Sequence, residues 1–330
     1  MPSTTTRFND TARLKVLVFG AGVLGSLYAA RLSDAGHEVS LVARGRRYRD
    51  LREHAIVLEY FDTGARTTTR VRTLDAMPTD ERFDVCLVAV QKTQLDAALP
   101  VLASNPLIPT FLFMVNTAEG PQVMIDALGR ERVMLGFANA GGERDGHLVR
   151  LMEAKRKAVT LGELDGSRSE RLLRVKAAFE SAGFPVEISR NMDAWLRYHV
   201  AIVGPFANGF YMVGGCNVAL AKNRQAMHMA LRAMREAIAV VRAHGFPLQP
   251  PALRFMLLLP DFVLVPLLQR LIASPIMDIG GKRHALAARE EMIALNEELL
   301  AMAEAVGIDT PMMRELHRYS DPAVPPAFTA

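Results

Sequence analysis

Two cysteines in 330 residues, Cys86 and Cys216, are too few for a disulfide framework, and neither has a partner at metal or redox spacing. This points to a reducing compartment, the cytoplasm, and to no metal. Cys86 sits inside the apolar run DVCLVAV and reads as a small buried hydrophobe. No long basic run and no aromatic-rich basic strand is present. A formal net charge of +4, from 39 basic and 35 acidic residues, therefore does not indicate nucleic acid. No apolar run reaches the ~20 residues a bilayer span needs. The greasiest segment, Phe255 to Met277, is interrupted by Pro260, Asp261 and Pro266, and Arg270 falls near its end. It reads as buried helices in a second domain or at a dimer contact, or as the wall of a substrate pocket. The first residues, MPSTTTRFNDTAR, lack the apolar core of a secretory signal and read as a polar tail, 1–13. Internal repeats and low-complexity stretches are absent.

What is present is enough apolar residue, 50% of the chain, for a large core. LKVLVFG (14–20) is the continuous apolar run of a parallel strand buried on both faces. A helix from about Val23 stops at Gly36, a residue suited to a helix end. HEVSLVA is the next strand. Further strands are expected at 56–60, 68–73, 84–90, 111–115 and 132–137, with helices near 95–103 and 120–128. LVRLME and KAVTLGE suggest an added antiparallel pair around 148–163. From about Asn191 strand signals vanish, and long helical stretches ending in Gly245 and Gly307 begin. The expectation is an α/β chain: a Rossmann-like doubly wound sheet over 14–189, then an all-helical domain over 190–330. Ligands of such folds sit at the carboxyl ends of the strands, here facing the cleft between domains.

GAGVLG, from Gly20 through Ala21, Gly22, Val23 and Leu24 to Gly25, follows the first strand and opens the first helix. That context makes it a dinucleotide fingerprint. Gly20 permits the tight turn, Gly22 the approach of a pyrophosphate, and Gly25 close helix–strand contact. Free N–H groups and the helix dipole would hold the anion.

An NAD site usually carries an acid at the end of the second strand, for the ribose hydroxyls. This chain has none there. Glu38 begins the strand, and the carboxyl end carries Arg44. A guanidinium there complements a 2′-phosphate through paired, charge-assisted hydrogen bonds, which argues for NADP. Arg46 and Arg47 read as a solvated surface cluster.

With these residues in hand, the chain resembles the ketopantoate reductase (2-dehydropantoate 2-reductase) family from Leu14 to about Leu316. The resemblance rests on GAGVLGSLYAARLSDAGHEVSLVAR, VNTAEG, GERDGHLV, DAWLR and REEMIALNEELLAMAEAVGIDTP, in that order. It implies an NADPH-dependent reductase of a small 2-oxo acid or related carbonyl, of the kind used in pantothenate biosynthesis. It implies that Gly20 to Gly25 bind the pyrophosphate and Arg44 the 2′-phosphate. The family's lysine after the strand ending LVAV is met here by Gln91, offering an amide, or by Lys92 after a one-residue shift. Asn116 matches an asparagine near the nicotinamide, Ala140 or Gly141 a backbone contact to the cofactor, and Glu291 a glutamate at the active cleft.

The sequence departs from the family at its acid catalyst. The lysine two residues after the junction tryptophan is Arg197 here, and the asparagines four and eight residues on are Ala201 and Pro205. Asn208 and Asn217 are the candidates to recover substrate contacts. A guanidinium releases no proton near neutral pH, so Arg197 would polarise the carbonyl or clamp a carboxylate. His199, Tyr198 or His284, the last on one helical face with Glu291, would then supply the proton. Trp195 reads as core. The altered lysine and asparagines point to a substrate bulkier than ketopantoate. Rival readings are another hydroxyacid or opine-type dehydrogenase, and a non-enzymatic NADP-binding sensor. A homodimer through the helical domain is expected from the apolar segment.

Overall fold

The structure, a computed structural model, describes residues 13–138, 140–153 and 158–328. Apart from Arg13, the polar tail lies outside the described residues. The strands are β1 (Lys15–Phe19), β2 (Glu38–Val42), β3 (Ile56–Tyr60), β4 (Arg66–Thr69), β5 (Arg72–Leu74), β6 (Val85–Val88), β7 (Phe111–Phe113), β8 (Val133–Phe137), β9 (Ala140–Asp145), β10 (Leu148–Glu153), β11 (Val159–Glu163) and β12 (Val186–Ile188). Among them run helices α1 (Val23–Asp34), α2 (Gly45–His54), α3 (Leu95–Ala103), α4 (Gln122–Leu128) and α5 (Glu170–Ser181). The remainder is helical: α6 (Met192–Met212), α7 (Asn217–Lys222), α8 (Arg224–Ala243), α9 (Leu253–Leu258), α10 (Asp261–Ile272), α11 (Pro275–Met277), α12 (His284–Ala287), α13 (Arg289–Ala305) and α14 (Pro311–His317), with a π-helical segment Asp278–Arg283.

The main sheet has the order β12-β11-β8-β7-β6-β1-β2-β5. From β5 to β8 every pairing is parallel, and only β11 against β8 is antiparallel. The chain moves outward from β1 on one side and then restarts at β6 on the other. The switch point between β1 and β6 is where a doubly wound sheet binds its ligand. The α/β class with a helical C-terminal region is borne out.

Packing on both faces explains why β1 is apolar from Val16 to Phe19. Val16 and Val18 pack with Leu27 and Leu32 of α1, while Leu17 and Phe19 pack with Leu95 and Leu99 of α3 on the opposite face. The helical region has its own core, in which α8 contributes Met227, Leu231, Met234 and Ile238 at helical spacing. Asn191 caps α6 by accepting the Ala194 N–H at 2.9 Å, which sets where the junction helix begins.

Four local expectations are corrected. The segments at 148–153 and 159–163 do not pair with each other. β10 joins β9, β3 and β4 in a separate four-stranded sheet, and β11 extends the main sheet. Both carry inward-facing apolar residues, but on different sheets. The strand expected over 68–73 is two strands, β4 and β5, one in each sheet. The helical stretch ending at Gly307 breaks at Ala288, whose φ of −118° and ψ of 39° separate α12 from α13. Phe255 to Met277 is helical but not all buried. Leu264, Val265, Leu268 and Ile272 face the core, whereas Phe262 is 80% and Leu258 79% exposed, with Phe255, Leu267 and Leu271 also exposed.

Candidate active site

The glycine turn lies between β1 and α1. Gly20 has φ +107°, a conformation open to glycine at little cost. A Cβ on Gly25 would strike the Gly20 carbonyl oxygen, so the first turn of α1 presses against the chain leaving β1. Gly22 is the reverse case, with nothing beyond the glycine turn and α1 within 4 Å of where its Cβ would stand. It is the N-cap of α1 and no side chain caps that end. The first N–H groups of α1 thus have no side-chain cap, and a helix terminus left so can receive an anion. Ala21, Val23 and Leu24 complete the turn.

Phe19 pairs with Val42, so the chain leaves β1 and β2 at the same level. Arg44 emerges there, exposed, as the N-cap residue of α2, and its side chain has no hydrogen bond or ion pair among the described residues. Glu38 lies at the other end of β2 and pairs with Lys15 at 3.5 Å. Arg46 is exposed, as expected. Arg47 is not: it is buried beneath the glycine turn. Its Nε donates to the Ala21 carbonyl at 3.1 Å, and its two terminal nitrogens donate to Ser26 Oγ and the His147 carbonyl, each at 2.9 Å. The run of arginines concealed this, because one turn of α2 swings the fourth residue inward.

The loops after β6 and β7 meet the helical region at the carboxyl edge. Gln91 is exposed and serves as N-cap of the short turn Lys92–Gln94. Lys92 turns inward. Its Nζ lies 2.7 Å from Glu298 and 3.5 Å from Glu119. Burial works to lower this ammonium's pKa, but the bond to Glu298, helped by Glu119, outweighs it and holds the group above its ordinary value. Glu298 also accepts the N–H groups of Ala118 and Glu119, at 2.6 and 3.0 Å. Asn116, just past β7, is half-buried and its side chain has no hydrogen-bond partner among the described residues.

Arg197 is buried and its fork is fully engaged. Nε donates to Asp193 at 2.8 Å, one terminal nitrogen to the Ala118 carbonyl, and the other to the Glu119 carbonyl at 2.6 Å. Its face lies 4.1 Å from the centre of the Phe246 ring. It clamps the 117–120 loop to α6. Glu298 accepts the N–H groups of the same two residues, so the 118–119 peptide is held at both ends, its carbonyl by Arg197 and its N–H by Glu298. The sequence marked neither Glu298 nor Asp193. Their signals were helical spacing: Glu298 lies seven residues after Glu291, and Asp193 four before Arg197.

Glu291 is buried and accepts the Lys92 backbone N–H at 3.1 Å. Its other oxygen lies 4.0 Å from His284 Nε2. The structure therefore brings Glu291, His284 and Lys92 together. His199 stands apart, at the end of β8, 4.2 Å from Phe137 and stacked at 5.5 Å on Trp195. Trp195 is half-buried against the sheet core. Tyr198 points away and donates to the Phe246 carbonyl at 2.8 Å. Asn208 is buried on α6, and its Oδ1 has no partner among the described residues. Asn217 donates to the Ile272 carbonyl at 2.9 Å and ties α7 to the end of α10. Ala140 opens β9, and the adjoining Gly141 faces Gly280 of the π-helical segment at 3.3 Å from its would-be Cβ. No cluster of potential metal ligands is found among the described residues.

The family model described as "Ketopantoate reductase PanE/ApbA" matches residues 16–166. A 2-dehydropantoate 2-reductase of Pyrococcus horikoshii is 23% identical over 237 residues, covering 70% of this chain and 75% of that one. The crystal structure of 2-dehydropantoate 2-reductase from Geobacter metallireducens GS-15 superposes with a TM-score of 0.76 at 18% identity, covering 94% of this chain and all of the other. A ternary structure of D-mandelate dehydrogenase with NADH and anilino(oxo)acetate superposes with a TM-score of 0.75 at 16% identity, over 93% and 97% of the two chains. The resemblance drawn from the sequence motifs is borne out.

Proposed function

We propose that this relative of the ketopantoate reductases is an NADPH-dependent reductase of a small 2-oxo acid, working in the cleft between its sheet and its helices. One observation carries the reading: an uncapped glycine turn and an unpartnered Arg44 emerge at the same level of β1 and β2. That pairing suits a pyrophosphate and a 2′-phosphate respectively. The bound nucleotide supplies a hydride to the carbonyl carbon. The protein supplies the rest. Gly22 and the α1 terminus hold the pyrophosphate, Arg44 the 2′-phosphate, and Asn116, with its amide unspent, the nicotinamide end. Ala140 lines the cofactor side. Gln91 is exposed and Lys92 is tied to Glu298, so both shape the wall where the cofactor would lie.

The carbonyl oxygen needs a proton. Arg197 is a poor source, because its donors are committed and guanidinium does not deprotonate near neutral pH. His284, whose Nε2 lies 4.0 Å from Glu291, fills the role, because an imidazole can hold a proton and pass it on. His199, between Trp195 and Phe137, is the second candidate. Asn208, buried with a spare acceptor, and Asn217 remain the proposed substrate contacts. Ala201 and Pro205, both buried, make the cleft less polar than asparagines would. This favours a 2-oxo acid with an apolar side group. The D-mandelate dehydrogenase structure, with its aryl-bearing oxo acid, supports that choice.

Two further parts of the proposal concern setting. No helix among the described residues is long and apolar enough to cross a membrane, and both cysteines are unpaired, which fits work in the cytoplasm. The exposed face of α9 and α10 is assigned to a second copy of this chain. Phe255, Leu258, Phe262, Leu267 and Leu271 expose roughly 600 Å² per protomer, and two such faces reach the lower range of stable interfaces.

The test is titration with NADPH and NADH, then a panel of 2-oxo acids followed by NADPH absorbance. Tighter NADPH binding, lost in Arg44→Ala, with turnover of at least one aryl or branched 2-oxo acid, supports the proposal. Equal affinity for both nucleotides overturns the role of Arg44. Binding without turnover across the panel favours a sensor.

A further inference from the structure

We infer that Arg47 is a positioning residue of the nucleotide site: by holding the Ala21 carbonyl from behind, it aims the Gly22 N–H at the pyrophosphate. The inference rests on the dinucleotide reading above and deepens it. A trans peptide is planar, with its C=O and N–H pointing in opposite directions. The Ala21 carbonyl and the Gly22 N–H belong to one such unit. Arg47 Nε fixes the carbonyl end at 3.1 Å, and Ser26 Oγ reinforces it at 3.4 Å. The N–H end must then face away from Arg47. Where a Gly22 Cβ would stand, nothing beyond the glycine turn and α1 lies within 4 Å. Arg47 also donates to Ser26 on α1 and to the His147 carbonyl ahead of β10, so the turn is braced against both the helix and the second sheet.

A second observation concerns charge. Arg47 is buried, yet no carboxylate forms an ion pair with it among the described residues. Its hydrogen-bond partners are two carbonyls and a hydroxyl. Buried charges are normally paired. Burial, with the like charge of Arg144, brings this guanidinium down to about 10, and Asp50 offsets only part of that. Among the described residues no carboxylate contacts this guanidinium, and Asp50 acts on it only from a distance. An anionic pyrophosphate at the adjoining helix terminus supplies a counter-charge through the low-dielectric turn. Arg44 and Arg47 thus divide the nucleotide, one serving the 2′-phosphate and the other the pyrophosphate common to both dinucleotides.

Two fragments separate these tasks. ADP-ribose carries the pyrophosphate without a 2′-phosphate, and adenosine 2′-monophosphate carries the reverse. Calorimetric titration of Arg47→Met is expected to weaken ADP-ribose by about tenfold or more while leaving adenosine 2′-monophosphate within about twofold. Arg44→Ala should show the opposite pattern. Arg47→Lys, which keeps the charge but loses the fork, should recover part of the ADP-ribose affinity, and it serves if the methionine variant does not fold. Unchanged ADP-ribose affinity in Arg47→Met overturns the inference. So does a loss shared equally by both fragments in either variant, which marks a role in folding alone. A wild-type protein that binds neither fragment nor dinucleotide instead removes the underlying reading.

Discussion

Lys92 and Glu298 meet at 2.7 Å across the boundary between sheet and helices, and the same carboxylate holds the N–H groups of Ala118 and Glu119. One side chain thus fixes the loops after β6 and β7 together. Glu298→Leu removes the charge, leaves the Lys92 ammonium with Glu119 alone at 3.5 Å, and strands two peptide donors. A loss of about 3–5 kcal/mol is expected in urea unfolding. Lys92→Met leaves the carboxylate with two N–H partners, so the smaller loss is expected there. Equal losses for the two variants would contradict this ordering.

Arg197 acts here as a clamp. Replacing it by lysine restores the residue type the family uses at that position, but one ammonium cannot reach Asp193 and two carbonyls at once. Arg197→Lys should therefore cost about 2–4 kcal/mol of stability, since each hydrogen bond to a charged group contributes about 1.5–3 kcal/mol. If instead the variant keeps wild-type stability and turns over 2-oxo acids faster, the arginine is a displaced catalyst and not a clamp.

The strand, glycine turn and helix at 15–34 were legible because their rules are local. A buried strand, a glycine turn and a helix follow each other within twenty residues, and Arg44 falls at a countable distance. Glu291 and His284 were also readable as neighbours, seven residues apart, although the helix that would have joined them breaks at Ala288. Arg47 was misread because charge in sequence says nothing about which helical face turns inward. The pairing of β10 and β11 failed for a related reason: alternation shows that a strand is half-buried but not which sheet receives it. The engagement of Arg197 depends on a loop some 80 residues earlier in the chain, and no periodicity within either segment reveals that.

Gly22 and Gly25 should separate binding from stability. Gly22 has φ −76° and open surroundings, so Gly22→Ala should change stability by no more than about 1 kcal/mol. It should nonetheless weaken NADPH strongly, because its methyl group occupies the pyrophosphate's place. Gly25→Ala meets the Gly20 carbonyl and should lose about 2–4 kcal/mol in addition to binding. Thermal melts with and without NADPH give both quantities. Similar stability losses for the two variants would refute the contrast.

Phe262 is the most exposed large hydrophobic residue of the α9–α10 face. If that face joins two copies, Phe262→Glu places a charge at the contact and should yield monomers in analytical ultracentrifugation without lowering the melting temperature by more than an exposed substitution does. A wild-type protein that sediments as a monomer at high concentration would leave the patch without this partner.

His37 gives the fold a defined pH response. It accepts the Leu14 N–H on Nδ1 at 3.1 Å, which leaves Nε2 to donate to Ser181 Oγ at 3.0 Å. Burial holds its pKa below the ordinary histidine value, and the charge of Arg13 adds to this. The unfolded chain then binds more protons than the fold, so stability is full above the unfolded value of about 6.5 and falls as pH drops toward the lowered folded value. Protonation would also set an N–H against the Leu14 donor at the start of β1. His317, likewise held low by burial, works in the same direction. The free energy of unfolding should decline by about 1 kcal/mol or more between about pH 7.5 and 5.5, and His37→Gln should flatten part of that slope. An identical slope in the variant would mean that the imidazole binds protons equally in the folded and unfolded chain, which would overturn the role given to its burial.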